Sequence, residues 1–126
     1  MDSDGQYDPK DLRRLYEKLE PGKIVVGYRH PRVDNIFRLI ISNSFKRLYE
    51  LLLKIKLNDP SCGYFMAYRK DVQKIIEKEE IGYLKEGFWW EFYAWCTKAK
   101  LIIVEIPINH FNRDYGNTVV FKIRKI

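Results

Sequence analysis

Residues Asp2-Ser3-Asp4-Gly5-Gln6-Tyr7-Asp8-Pro9 place two carboxylates at alternate positions, followed at once by a glycine. Alternate residues of an extended segment project to the same side. Asp2 and Asp4 can therefore bring both carboxylates toward one hard cation at a strand end. Mg²⁺ or Mn²⁺ suits such oxygen ligands, particularly where a substrate diphosphate completes the shell. An Asp-x-Asp pair by itself is more often a turn or solvated surface. An EF-hand loop fails on spacing: counting from Asp2 puts Tyr7 where the glycine belongs and Arg13 where the glutamate belongs.

Asp8-Pro9 also reads as a helix start, with Asp8 as N-cap and Pro9 in the first helical position ahead of Leu12, Leu15, Tyr16 and Leu19. Glu20-Pro21-Gly22 stops that helix. The β-branched run Lys23 to Tyr28 then predicts a buried strand, and helix followed by strand points to an α/β layer. Asp34 or Asn35 caps a long helix reaching about Lys56. Its apolar face, Ile36, Ile40, Leu48, Leu51, Leu52 and Ile55 widened by Phe37, Ile41 and Phe45, exceeds one ordinary stripe. Asn58-Asp59-Pro60-Ser61 is a turn before a strand at Gly63 to Tyr68. Lys70 to Glu79 and Phe88 to Lys98 read as helices. Leu101 to Ile108 is the clearest strand, with Pro107 marking an edge position or an early end. A polar loop, His110 to Thr118, precedes a last apolar stretch, Val119 to Ile123. No repeat or linker divides the chain, so one domain over residues 1–126 is expected.

The 126 residues are enough for a single core. Hydrophobic content of 46% and aromatic content of 15% exclude a disordered tail. A net charge of +6 favours an anionic partner: nucleic acid, a phospholipid surface or a phosphate-bearing substrate. A nucleic-acid binder would rest on charge alone, because no basic-aromatic motif is present. Cys62 and Cys96 match neither a disulfide framework nor a Cys-x-x-Cys pattern and read as reduced, buried thiols. No signal peptide is visible after Met1, and charges at Arg38, Lys46, Arg47, Glu50 and Lys54 keep the longest apolar cluster from crossing a bilayer.

With Asp2 to Pro9, further motifs occur in a fixed order: Val26-Gly27-Tyr28-Arg29, Asp59-Pro60-Ser61-Cys62-Gly63-Tyr64, Gly87-Phe88, and Glu105-Ile106-Pro107-Ile108 followed by Arg113 and Gly116. Together they cover nearly the whole chain and resemble family-two glycosyltransferases of the GT-A fold, especially the dolichyl-phosphate mannose synthase type. The resemblance implies an α/β chain corresponding to the C-terminal half of that fold, a mixed sheet with packed helices. The same resemblance implies that the family's N-terminal nucleotide-binding half lies outside this sequence, and so an expected requirement for a complementary N-terminal half. It also implies a metal-dependent inverting transferase that moves a sugar from a nucleotide-sugar donor to a polyprenyl phosphate, with no nucleic-acid partner. The expected setting is cytoplasmic, with peripheral contact at the cytoplasmic membrane face.

By the same resemblance Asp2, Asp4 and Gln6 hold Mg²⁺ or Mn²⁺, and Arg29 lies beside the donor phosphates as a catalytic residue with Asp4. The alternative for Arg29 is a strand-end arginine in a surface ion pair. Arg38 and Ser42 lie four apart on one helical face, where a guanidinium and a hydroxyl can approach the same anion. They resemble the pair that receives the acceptor phosphate, with Arg113 as a third phosphate-gripping residue; a solvated helix charge is the alternative for Arg38. A lipid phosphate is already anionic and needs little help from a base. A hydroxyl acceptor would need one, and Glu91 is then the first candidate, unless it is simply a helix-face carboxylate. His30 and His110 read as hydrogen-bonding loop residues, with His110 able to approach the metal or donor phosphate. The run Trp89, Trp90, Phe92, Tyr93 and Trp95 reads as core packing ahead of sugar stacking. The broad helix from Ile36 can lie at a membrane interface, pack into the core, or meet the missing half. A catalytically silent partner-binding or membrane-binding remnant is the reading from another class.

Overall fold

A computed structural model describes residues 5–32, 34–77 and 87–111. In chain order the elements are α1 (Asp11–Tyr16), β1 (Lys23–Arg29), α2 (Ile36–Leu53), β2 (Phe65–Ala67), α3 (Arg69–Ile76), α4 (Phe88–Lys98) and β3 (Ile102–Ile108). The strands form one mixed sheet in the order β2-β1-β3, with β1 antiparallel to β2 and parallel to β3. Pro107 thus lies on an edge strand of this sheet, where its missing N–H is tolerated.

The middle of β1, Ile24 to Gly27, is apolar and buried because both of its faces are covered. Ile24 and Val26 enter one core with Tyr49, Ile75, Phe92, Tyr93 and Cys96, while Val25 between them enters the other with Leu15, Cys62, Tyr64 and Ile108. The aromatic run of α4 is packing, as its pattern suggests: Trp90 meets Phe45 and Tyr49 edge-on at centroid distances of 4.6 and 5.0 Å. Gly27 allows β3 to approach β1, since a Cβ there would fall 2.6 Å from Ile108 Cδ1. Both cysteines are buried and free.

Several boundaries differ from the sequence reading, including that of α3, which runs Arg69–Ile76 where Lys70 to Glu79 was expected. The first helix starts at Asp11 rather than Pro9, because Asp8 closes a tight turn, accepting from Lys10 N through Oδ1 at 2.9 Å and from Asp11 N through its carbonyl at 3.1 Å. α2 ends at Leu53, not Lys56: Lys54 adopts the left-handed region at φ 56°, and Ile55 and Leu57 turn into the core. β2 is three residues long, although Tyr64 O still accepts from Gly27 N at 2.7 Å. Asn35 is the cap of α2, its side chain accepting from Phe37 N at 2.8 Å. The stretch Val119 to Ile123 lies outside the described residues.

α2 contributes Tyr49 to the core, while Ile36, Phe37, Ile40, Ile41, Phe45, Leu48, Leu51, Leu52 and Leu53 are 47 to 77% exposed. Among the described residues, then, most of that face is not buried in the chain's own core. Among the described residues no helix is long and apolar enough to cross a membrane.

Candidate functional site

The parallel ladder runs from Lys23↔Ile102 to Arg29↔Ile108, so β1 and β3 end at one edge, where His30 N donates to Ile108 O at 3.1 Å. Open α/β sheets bind ligands outside the carboxyl ends of their parallel strands. The chain's first described segment reaches the same edge: Tyr7 bridges His110 antiparallel, and Phe111 N donates to Gln6 O at 2.9 Å. α1 braces this arrangement. Asp11 Oδ2 accepts from Asn109 N at 3.0 Å, and Arg14 Nη1 donates to Pro107 O at 2.8 Å.

Arg29, the last residue of β1, grips Asp59 through both carboxylate oxygens, Nε to Oδ2 at 2.5 Å and Nη2 to Oδ1 at 2.8 Å. Its Nη2 also donates to Ser61 Oγ at 2.6 Å. The side chains of Arg29 and Asp59 are only 11% and 3% exposed, so this is a buried, bidentate pair. Burial pushes the Asp59 carboxyl upward, but the Arg29 hydrogen bonds and charge, with Arg32 and Ser61, outweigh it and hold the group below the usual carboxylate range. Burial likewise opposes the charge on Arg29, and Asp59 more than restores it. The Asp59 loop is tied to β3 by Glu105, which accepts from Asn58 N at 2.7 Å and Asn58 Nδ2 at 3.0 Å. Burial raises the Glu105 carboxyl despite those bonds.

Beyond Arg29, Arg32 sends Nε and Nη2 to Asp34 Oδ2 at 2.8 and 2.6 Å and Nη1 to Ser42 Oγ at 2.8 Å. Arg38 Nη1 stands 3.6 Å from Asp34 Oδ1. Burial raises the Asp34 carboxyl, yet Arg32, then Arg38 and Arg29, bring it below its ordinary value. His110 is 6% exposed, with Nε2 beside Gln6 Nε2 at 3.4 Å and Nδ1 buried with no hydrogen-bond partner among the described residues. Burial lowers its basicity, and Arg29 lowers it further. Arg29, Arg32, Arg38, Asp34, Asp59 and His110 thus act on one another as one electrostatic cluster in which guanidiniums outnumber carboxylates.

Of the sequence candidates, Gln6, Arg29, Arg38 and Ser42 come together at this edge, while Asp2, Asp4 and Arg113 lie outside the described residues. The expected surface ion pair of Arg29 is instead a buried one. Glu91 lies in the first turn of α4, in the layer packed on β3. Sequence reading missed Arg32 and the site role of Asp34 and Asp59. The one available signal was the alternation of basic and acidic residues through Arg29, Arg32, Asp34 and Arg38. Among the described residues no group of three or more His, Cys, Asp or Glu side chains is arranged to hold a metal. Gln6, with its amide oxygen, is the described member of the proposed oxygen donor set, which suits Mg²⁺ or Mn²⁺ in ligand type. A cluster rich in guanidiniums at a strand edge is chemically suited to phosphoryl groups.

No protein-family model matches the chain, and no solved structure matches it significantly. Curated homologues do. The chain is 28% identical over 123 residues to an undecaprenyl-phosphate mannosyltransferase of Micrococcus luteus, covering 94% of this chain and 50% of that protein. It is 26% identical to a polyprenol monophosphomannose synthase of Mycolicibacterium smegmatis, covering 92% of this chain and 46% of the relative. It is 31% identical to an undecaprenyl-phosphate 4-deoxy-4-formamido-L-arabinose transferase of Klebsiella pneumoniae, covering 94% and 34% respectively. The chain therefore spans at most half the length of these relatives. Their names agree with the resemblance carried by the motifs.

Proposed function

We propose that this chain is the acceptor-side portion of a polyprenyl-phosphate sugar transferase of the GT-A fold, moving a sugar from a nucleotide-sugar donor to a polyprenyl phosphate. The supporting observation is the convergence of Arg29, Arg32, Arg38 and Ser42 at the carboxyl edge of β1 and β3, beside Gln6 and His110. The homologues named for polyprenyl-phosphate transfer align along nearly all of the chain.

In this reading Arg38, Ser42 and Arg113 receive the acceptor phosphate. Its ionised oxygen attacks the anomeric carbon while the nucleoside diphosphate leaves from the opposite face, which inverts the configuration. No general base is needed, because the nucleophile is already an anion. Mg²⁺ or Mn²⁺, held by Asp2, Asp4 and Gln6, would supply neutralisation of the leaving diphosphate. Arg29 commits Nε and Nη2 to Asp59 and Ser61, so it acts through its charge and its Nη1. That charge, fixed in position before reaction, is the kind that stabilises developing negative charge without reorganisation.

The exposed apolar face of α2, with Arg47 within the helix and Lys54 at its end, suits a peripheral seat on the cytoplasmic face of an anionic bilayer, where a polyprenyl phosphate resides. A second reading has an observation of its own: the chain spans half or less of its relatives, and a complementary N-terminal segment can meet the same face. Such a segment would also supply rigid support for the metal ligands.

The test is divalent-metal-dependent transfer from labelled nucleotide sugars to a polyprenyl phosphate, with and without a complementary N-terminal half from a relative. Asp2→Ala and Arg38→Ala should abolish transfer, and Glu91→Ala should leave it. Loss in Glu91→Ala with full activity in Arg38→Ala would replace the lipid phosphate by a hydroxyl acceptor. Robust transfer by the 126-residue chain alone would remove the need for a second half.

A further inference from the structure

Gln6 and His110 stand 104 positions apart in the chain and side by side at the carboxyl edge of the sheet. We infer that His110 is a positioning residue for Gln6: its Nε2 accepts from the Gln6 amide nitrogen, so that the amide oxygen, the proposed cation ligand, is turned away from the segment at 110–111. The role toward a cation rests on the reading of Gln6 as a ligand, whereas the hydrogen bond itself does not.

The contacts fix the atoms one after another. Tyr7 bridges His110 antiparallel and Phe111 N donates to Gln6 O at 2.9 Å, which brings the two segments together. There Gln6 Nε2 lies 3.3 Å from Phe111 O and 3.4 Å from His110 Nε2. A carbonyl oxygen only accepts, so the end of the amide facing Phe111 O has to be its NH₂ group. With the amide turned over, two acceptors would oppose each other. That NH₂ group in turn only donates, so His110 Nε2 has to be the acceptor and the ring proton has to sit on Nδ1. An Nε2–H tautomer or a doubly protonated ring would set two donors face to face.

The surroundings show why an imidazole stands here. His110 is 6% exposed, and its ring lies beside that of Tyr7 at a centroid distance of 5.9 Å, which restrains its orientation. Nδ1 is buried with no hydrogen-bond partner among the described residues, and an unpaired buried donor is unfavourable. A phenyl ring would fill the same space without that penalty. What the imidazole adds is the Nε2 lone pair, and Gln6 engages it. With one nitrogen accepting and the other protonated, His110 serves a cation through Gln6 and not as a ligand. Partners of this kind fix the direction of a ligand, and losing one weakens metal binding roughly ten- to a hundred-fold.

The test has two arms. Without metal, a long-range ¹H–¹⁵N correlation spectrum of the full chain at neutral pH should show a protonated Nδ1 and an unprotonated Nε2 in the His110 ring. A protonated Nε2 overturns the inference, and this readout needs no variant to fold. In the second arm Mn²⁺ binding is followed by electron paramagnetic resonance, for the chain alone and with the complementary N-terminal half of a relative added. His110→Phe should bind Mn²⁺ at least about ten-fold more weakly than wild type. His110→Gln, whose amide oxygen can take the place of Nε2, should keep most of the affinity. In a Gln6→Ala background His110→Phe should cause no further loss, since its effect passes through Gln6. Unchanged affinity in His110→Phe overturns the positioning role. Equal loss in His110→Gln, or a further loss in the Gln6→Ala background, replaces it by direct ligation. If wild type takes up no Mn²⁺ in either form, or Gln6→Ala binds as well as wild type, Gln6 is removed as a ligand and the role of His110 toward a cation goes with it; the ring tautomer then decides the hydrogen bond alone.

Discussion

Asp59→Asn isolates the contribution of the buried Arg29–Asp59 pair. The substitution keeps the shape of the side chain but removes the charge facing a guanidinium that is 11% exposed. Breaking one partner of a buried pair costs about 3 to 5 kcal/mol, because the other charge is left desolvated. An amide oxygen can still accept one of the Arg29 bonds, so the lower end, about 3 kcal/mol, is expected. For a chain of this size that corresponds to a fall in Tm of roughly 12 °C. The pH dependence has a defined sign. Asp59 has its folded pKa held below its ordinary value. Its contribution is therefore present above the unfolded carboxylate value and is lost as pH falls through the depressed folded value. Urea unfolding of wild type and Asp59→Asn from pH 7 down through the acid range should show a large gap at neutral pH that closes on the acid side. A gap under about 1 kcal/mol at pH 7, or one that does not change as the pH falls, would refute the claim that this pair holds the site edge together.

Three further outcomes follow from particular contacts. Gly63→Ala would bring a Cβ to 2.7 Å from the Trp89 ring, so unfolding free energy should drop by about 1 to 3 kcal/mol, with a change in tryptophan fluorescence. Glu105→Ala removes the acceptor of two Asn58 bonds; faster amide hydrogen exchange at Asn58, with β1 protection retained, is the expected signature. Charge reversal at Arg47 and Lys54 together should weaken binding to anionic vesicles by at least about 2 kcal/mol, on the scale of about 1 kcal/mol per basic residue, and leave the melting curve nearly unchanged.

What could be read from the sequence was what repeats locally. The β-branched run Lys23 to Tyr28 after Pro21-Gly22 identified the central strand, and the helix Phe88 to Lys98 has the bounds the sequence reading gave it. Arg29 and Asp59 pair across 30 positions, and no periodicity encodes such a meeting. Arg32 and Asp34 lie in an irregular connector, where side-chain direction is set by the ends of β1 and α2 rather than by a repeat. The exposure of α2 was hidden for a different reason: a wide apolar face looks the same whether core, partner or lipid covers it. The pairing of Arg38 with Ser42 on one helical face was legible because its spacing is local, and Gln6 was reached only through the motif resemblance. Arg32 was not singled out, because its link to Ser42 spans ten positions of folded chain.

The alternation along β1 has a consequence for how the protein fails. Neighbouring residues of one strand sit in opposite cores, so a slip of a single position would drive Val25 out of one and Ile24 and Val26 out of the other. Neither layer can loosen while its counterpart stays intact. Damage on the α1 side should therefore be felt by the aromatic packing of α4, and the two halves of the interior should melt in a single transition.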